Sequence, residues 1–202
     1  MRAFFIALIV VFILAWSVIG PFTVASPSME DTLLTGDTFL ALKYKYGLRM
    51  PFTDTVLVPL GEPEPGDIVL FANPVDPDQT YVKRCIAVGG QTLSIDSKTL
   101  FVDGVEVPLP PDGKHADPNI LEKEATGKGK RDFYDEITVP EGMVFFMGDN
   151  RDFSIDSRIF GPVPLENIRG KVGPVFWSTD PDVSWREPGK KIRWNRMFGS
   201  VR

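Results

Sequence analysis

Three short stretches carry side chains able to break bonds, and none of them contains a histidine. The chain's one imidazole, His115, sits in the polar run Asp112-Gly113-Lys114-His115-Ala116-Asp117-Pro118, where a solvated loop is expected. A serine hydrolase made from these residues therefore needs an amine as its base. The first stretch, Val24-Ala25-Ser26-Pro27-Ser28-Met29-Glu30-Asp31-Thr32-Leu33, sets two hydroxyls around a rigid proline. Read alone, it fits a plain turn as well as a nucleophile. The second, Tyr81-Val82-Lys83-Arg84-Cys85-Ile86-Ala87-Val88, has strand character, and alternation puts Lys83 on one face with Cys85 and Ala87. Those are unusual neighbours for a lysine, although an edge-strand lysine left in water shows the same pattern. The third, residues 148–158, packs Asp149, Asp152, Asp156, Arg151, Arg158, Ser154 and Ser157 behind an apolar run. Such density fits either a solvated turn or a buried ion-pair network.

Short strands must position these groups. The chain has 202 residues with 43% hydrophobic and 24% charged, enough for a sizeable core, and its 18 Gly and 18 Pro are scattered between short apolar runs. Strands are expected at 38–45, 55–60, 67–72, 81–88, 92–95, 99–102, 105–107, 136–139, 143–147 and 170–177. Asp103-Gly104 is a hairpin turn signal, since both positions tolerate positive φ. Residues 108–135 change character, with Pro110-Pro111-Asp112-Gly113 and a run of Lys, Glu and Gly, and read as an exposed insertion.

Residues 3–20 are almost entirely apolar and, as a helix, would cross roughly 27 Å of hydrocarbon before Gly20-Pro21 stops it. A cleaved secretory leader shares the basic start and small-residue exit, but its apolar core is shorter, ~7–15 residues. Arg2 precedes the span, whereas Glu30, Asp31 and Asp37 follow it, which puts the N-terminus in the cytoplasm and the remainder on the outer side. The net charge of -5 offers no footprint for nucleic acid, and Cys85 with His115 cannot build a usual zinc site, so no metal or other cofactor is expected.

Ser-x-Ser-Met with Thr-Leu and Gly-Asp, then Tyr-Val-Lys-Arg, then Gly-Asp-Asn-Arg-Asp-x-Ser-x-Asp-Ser-Arg, in this order, resembles bacterial type I signal peptidase, a Ser/Lys-dyad peptidase family. Gly66-Asp67-Ile68-Val69 adds weaker agreement. Pro27 stands where the family usually shows Gly, Met29-Glu30-Asp31-Thr32-Leu33 departs from Met-x-Pro-Thr-Leu, and Gly89-Gly90-Gln91 departs from Pro-Gly-Asp. None of these removes a catalytic group.

The resemblance implies a mainly β fold: an antiparallel β-sheet catalytic core (23–90 and 142–202) with a smaller inserted β/loop region (91–141), preceded by one N-terminal transmembrane helix (1–22). It implies Ser28 as nucleophile, Lys83 as general base, and an oxyanion hole from the Ser26 hydroxyl and the Ser28 amide. Ser154 would orient the lysine, with Asp149, Asp156 and Arg158 in support. Val24, Met29, Leu33, Tyr81 and Val82 would line pockets for an extended peptide. The implied partners are signal peptides of exported preproteins and the lipid bilayer, at the inner (cytoplasmic) membrane, with Phe176, Trp177, Trp185 and Trp194 either in the core or on lipid. A lysine base needs its pKa brought down from ~10.4, and desolvation is the available means. A maturation peptidase dedicated to one substrate, of the conjugation or pilin type, would share these residues. A non-catalytic membrane-tethered binding module would carry the pair by accident.

Overall fold

The protein is described from a computed structural model, which covers residues 1–2, 4–5, 18–50, 55–122, 129–199 and 201. Most of the expected transmembrane stretch lies outside these residues, and no described helix is long and apolar enough to cross a membrane.

The strands are short, β-branched or aromatic, and closed by Gly or Pro. They are β1 (Ile19–Thr23), β2 (Asp37–Leu42), β3 (Gly47–Arg49), β4 (Val56–Pro59), β5 (Ile68–Ala72), β6 (Thr80–Val88), β7 (Thr92–Asp96), β8 (Thr99–Val102), β9 (Val105–Val107), β10 (Tyr134–Thr138), β11 (Met143–Met147), β12 (Val163–Pro164) and β13 (Ile168–Ser178). Seven form one antiparallel sheet in the order β1-β2-β13-β5-β6-β11-β12; β10-β7-β8-β9 form a second, and β3-β4 a separate ribbon.

The expected mainly β, antiparallel architecture is what the molecule shows. Asp103 and Gly104 turn β8 into β9 with φ of 51° and 74°, as the hairpin signal requires. β1, β3 and β12 were not expected. β1 begins at Ile19, before Gly20-Pro21, because pairing with β2 along Ile19↔Leu42 to Thr23↔Thr38 satisfies that backbone as strand.

Apolar side chains gather in three clusters. Val24, Met29, Leu33, Phe39 and Leu70 fill one, and Val69, Phe71, Cys85, Phe146 and Ile168 fill another. The third joins the two sheets through Ala87, Phe145 and Met147 against Leu93, Ile95 and Leu100. Val69 pairs with Lys83 and Leu70 with Val82, so adjacent residues of β5 serve different clusters by ordinary alternation. Of the expected face of Lys83, Cys85 and Ala87, the first two stay together, Lys83 pairing with Val69 of the cluster that holds Cys85, and Ala87 departs. Phe145 pairs with Ala87 but Phe146 with Cys85, and this irregularity at Ile86 interrupts the alternation. Ala87 therefore packs with the second sheet and Cys85 with the first.

The first and last parts of the large sheet are locked together at Asp37. Its carboxylate accepts from Arg196 Nε and Nη2 at 2.9 and 2.7 Å and from Ser178 Oγ at 2.5 Å. The preceding Gly36 has φ +91°, and a Cβ there would lie 2.0 Å from the Thr179 carbonyl oxygen, so only glycine lets the two chains meet.

Candidate active site

Pro27–Met29 form a single 3-10 turn directly after the extended segment that continues β1. The proline presets the backbone for that turn, and Ser28 follows, 6% exposed. Lys83 comes from the middle of β6 and is 3% exposed. Its Nζ lies 2.6 Å from Ser28 Oγ and 3.1 Å from the Val82 carbonyl, with the Tyr81 ring centroid 5.2 Å away. Ser26 Oγ is 3.1 Å from Ser28 Oγ. Burial pulls the lysine pKa down to about 8, against the opposing pull of Asp156 and Asp149 and with a smaller push from Arg158. An amine of this kind, once neutral, can accept the proton of the hydroxyl beside it.

The 148–158 stretch is a buried network. Asp149 and Asp156 are both 0% exposed. Asp149 accepts from Arg84 through Nε at 2.8 Å and Nη2 at 2.7 Å, and from Thr32 Oγ1 at 2.6 Å. The sequence reading missed both Arg84 and Thr32. Arg84 sits beside Lys83 in the Tyr-Val-Lys-Arg motif, and that adjacency was the available signal. Asp156 accepts from Arg158 Nε at 2.9 Å, Nη2 at 2.8 Å and the Gly148 amide at 3.0 Å. Burial pushes the Asp156 carboxyl up, but Arg158 and the Gly148 amide outweigh it and hold it below the ordinary range. The Asn150 amide donates to the Ser28 carbonyl at 3.1 Å. A Cβ on Gly148 would stand 2.5 Å from that same carbonyl oxygen and 2.3 Å from Ser154 Oγ, so glycine is required for the two loops to touch.

Ser154 lies in this contact with its buried hydroxyl toward Asp156, whose ionised form it favours, and no described hydrogen bond joins it to Lys83. Leu33, expected in a substrate pocket, is 0% exposed in the core; its amide bonds the Met29 carbonyl, which turns it inward. His115 is not a solvated loop side chain. It is half-buried with Nδ1 3.5 Å from Asp152 Oδ1, and burial lowers its pKa against the pull of Asp152. It makes no hydrogen bond to Ser28 or Lys83 among those described.

Beside the serine and lysine opens a cavity of about 550 Å³, lined among others by Val24, Ala25, Phe39, Leu70, Tyr81 and Val82. Met29 also lines it. Among the described residues no group of His, Cys, Asp and Glu could hold a metal ion.

Residues 1–177 match the family described as "Signal peptidase, peptidase S26". The chain belongs to that family. It is thus an enzyme, a serine hydrolase of the signal peptidase I type. A signal peptidase I of Pseudomonas fluorescens is 35% identical over 93% of this chain and 72% of its own length. That of Pseudomonas aeruginosa is 34% identical over 91% and 74%. One from Rickettsia typhi is 31% identical over 83% and 75%.

Proposed function

We propose that this enzyme removes signal peptides from exported preproteins, with Ser28 as nucleophile and Lys83 as general base. The observation that carries the reading is the 2.6 Å separation of Lys83 Nζ and Ser28 Oγ in a pocket that water barely reaches. A neutral Lys83 takes the hydroxyl proton as Ser28 attacks the scissile carbonyl. The oxyanion then draws on the Ser26 hydroxyl and the Ser28 amide, and the lysine returns its proton to the leaving amine. Water, deprotonated by the same lysine, releases the acyl-enzyme. Asp149 with Arg84, and Asp156 with Arg158, hold the 148–158 loop against the Ser28 turn, and a rotation of the Ser154 hydroxyl toward Lys83 would let it orient the lysine.

A leader segment would lie extended in the cavity between 22–26 and 80–83, its alternate side chains entering the walls of Val24, Met29, Tyr81 and Val82. Small residues before the cut are what the family resemblance implies. The apolar residues 3–20 would anchor the chain, with the N-terminus cytoplasmic and the catalytic sheet on the outer face of the inner membrane. Trp177, Trp185 and Trp194 are exposed at 37%, 63% and 63%, which suits a domain resting on lipid. The test is cleavage of a purified preprotein in detergent by wild type, Ser28→Ala and Lys83→Ala. Unchanged cleavage by either variant would overturn the assignment.

A further inference from the structure

The two open positions of the Asp-x-Ser-x-Asp part of the third motif hold Phe153 and Ile155, both large and apolar. Phe153 closes the 3-10 turn Arg151–Phe153, and Ser154 after it is extended, with φ -125° and ψ 131°. Alternation then turns Ser154 inward, against Gly148, and sends Phe153 and Ile155 out on the opposite side. They are 61% and 62% exposed. A single residue of this kind on a surface needs no explanation. Here two stand on one side of a loop whose Asp149, Asn150, Arg151 and Asp156 are buried, and both line the cavity that holds Ser28 and Lys83.

The lining residues differ in depth. Met29, Phe39 and Leu70 are at most 1% exposed and mark the inner end of the cavity, whereas Phe153 and Ile155, largely in water, mark its mouth. A peptide lying extended there points alternate side chains to opposite sides. With the residue immediately before the cut and the third before it directed inward, the second is directed to the mouth. Among the described residues that line the cavity Lys83 alone is charged, and it is buried, so the mouth offers an apolar contact and no ion pair. The rim is also held from both ends. Asp152 accepts from Lys98 Nζ at 3.0 Å and from the Asp117 amide at 2.8 Å, and Asp156 accepts from Arg158 Nε at 2.9 Å and the Gly148 amide at 3.0 Å. A surface fixed in this way gives up little conformational freedom when a side chain settles on it.

We propose that Phe153 and Ile155 form a subsite for the second residue before the cut and select a large apolar side chain there, of the size of leucine. This rests on the peptidase reading given above and adds to it a preference at a position that the small residues beside the cut leave open.

The test uses the full chain in detergent and preproteins that differ only in that second residue, which is leucine, serine or lysine. For the wild type, kcat/KM on the leucine substrate should exceed that on the serine substrate by about tenfold, chiefly through KM. In the double variant Phe153→Ser with Ile155→Ser that ratio should fall to near one, and Phe153→Glu should move the preference from leucine to lysine. A wild-type ratio near one would overturn the proposal. So would a double variant that loses activity on both substrates alike and keeps the ratio, since residues that only hold the loop in place would act in that way. Selection that follows the residue after the cut instead of the second before it would overturn the position assigned here. Ser28→Ala on the same substrates reads the proposed function separately. Cleavage that persists in that variant counts against the peptidase reading, whereas cleavage that stops in it, with no selection at the second residue, counts against the subsite alone.

Discussion

At the scale of single residues, a buried amine 2.6 Å from a serine hydroxyl serves the reaction in one protonation state and blocks it in the other. With its pKa at about 8, Lys83 is mostly ammonium at neutral pH, and the fraction able to accept a proton grows as pH rises through that value. Cleavage should therefore climb along a limb centred near pH 8, and His115→Ala should leave that limb in place; a pH–rate profile of both enzymes checks this. The sign for stability follows the same shift. The folded pKa lies below the ordinary 10.5, so between about pH 8 and 10.5 the unfolded chain binds the extra proton and the lysine's penalty lessens as pH rises. Below pH 8 the penalty is fully present. Lys83→Met should then abolish cleavage yet stabilise the fold at pH 7 by on the order of 1–3 kcal/mol, read from the urea midpoint. Ser26→Ala should lower kcat by ~10²-fold with little change in KM, as for loss of one oxyanion donor.

At the scale of elements, the site is made by two loops that meet, and their contact depends on side chains far apart in sequence. Arg84 on β6 and Asp149 after β11 form a two-bond pair with both partners nearly or wholly buried, at 7% and 0% exposure. Asp149→Ala would leave Arg84 without that anion in a dry setting, at a cost of ~3–5 kcal/mol seen as a fall in Tm. Arg84→Lys should rescue little, since an ammonium cannot supply two parallel bonds from one plane. Gly148→Ala should reduce kcat by about 10²-fold, because the new methyl can be housed only by pushing the Ser28 turn away from its place. Crystals of that variant should show Ser28 displaced from Lys83.

At the scale of the whole molecule, the expected insertion 108–135 is tied to the catalytic loop through its described residues Lys114, Asp117 and Arg131. Lys114 and Asn150 form a bridge in which the Lys114 amide bonds the Asp149 carbonyl at 2.9 Å and the Arg151 amide bonds the Lys114 carbonyl at 3.0 Å. Asp152, its side chain 1% exposed, accepts from Lys98 Nζ at 3.0 Å and from the Asp117 amide at 2.8 Å. Arg158 Nη1 reaches the Arg131 carbonyl at 3.0 Å. The second sheet is in this way tied to the catalytic loop as well as packed on the first sheet. Asp152→Ala should speed amide exchange across residues 114–121 while lowering cleavage only a few-fold, since Asp152 bonds neither Ser28 nor Lys83.

Sequence alone carried most of the strand positions, though not β1, β3 or β12, together with the Asp103-Gly104 turn and the three motifs, because alternation, turn chemistry and residue type are local properties. It also carried the family resemblance. Only the folded chain decided which of those motifs meet. Residue spacing gave no hint that β6 would be irregular at Ile86 and so divide Cys85 from Ala87. Nor did it show that Leu33 turns into the core rather than toward a ligand, or that Lys114 bridges to Asn150 of the catalytic loop. Burial and ion pairing are set by what arrives from across the sheet. A lysine pKa near 8 and a carboxylate fully removed from water are therefore properties of packing that residue order does not contain.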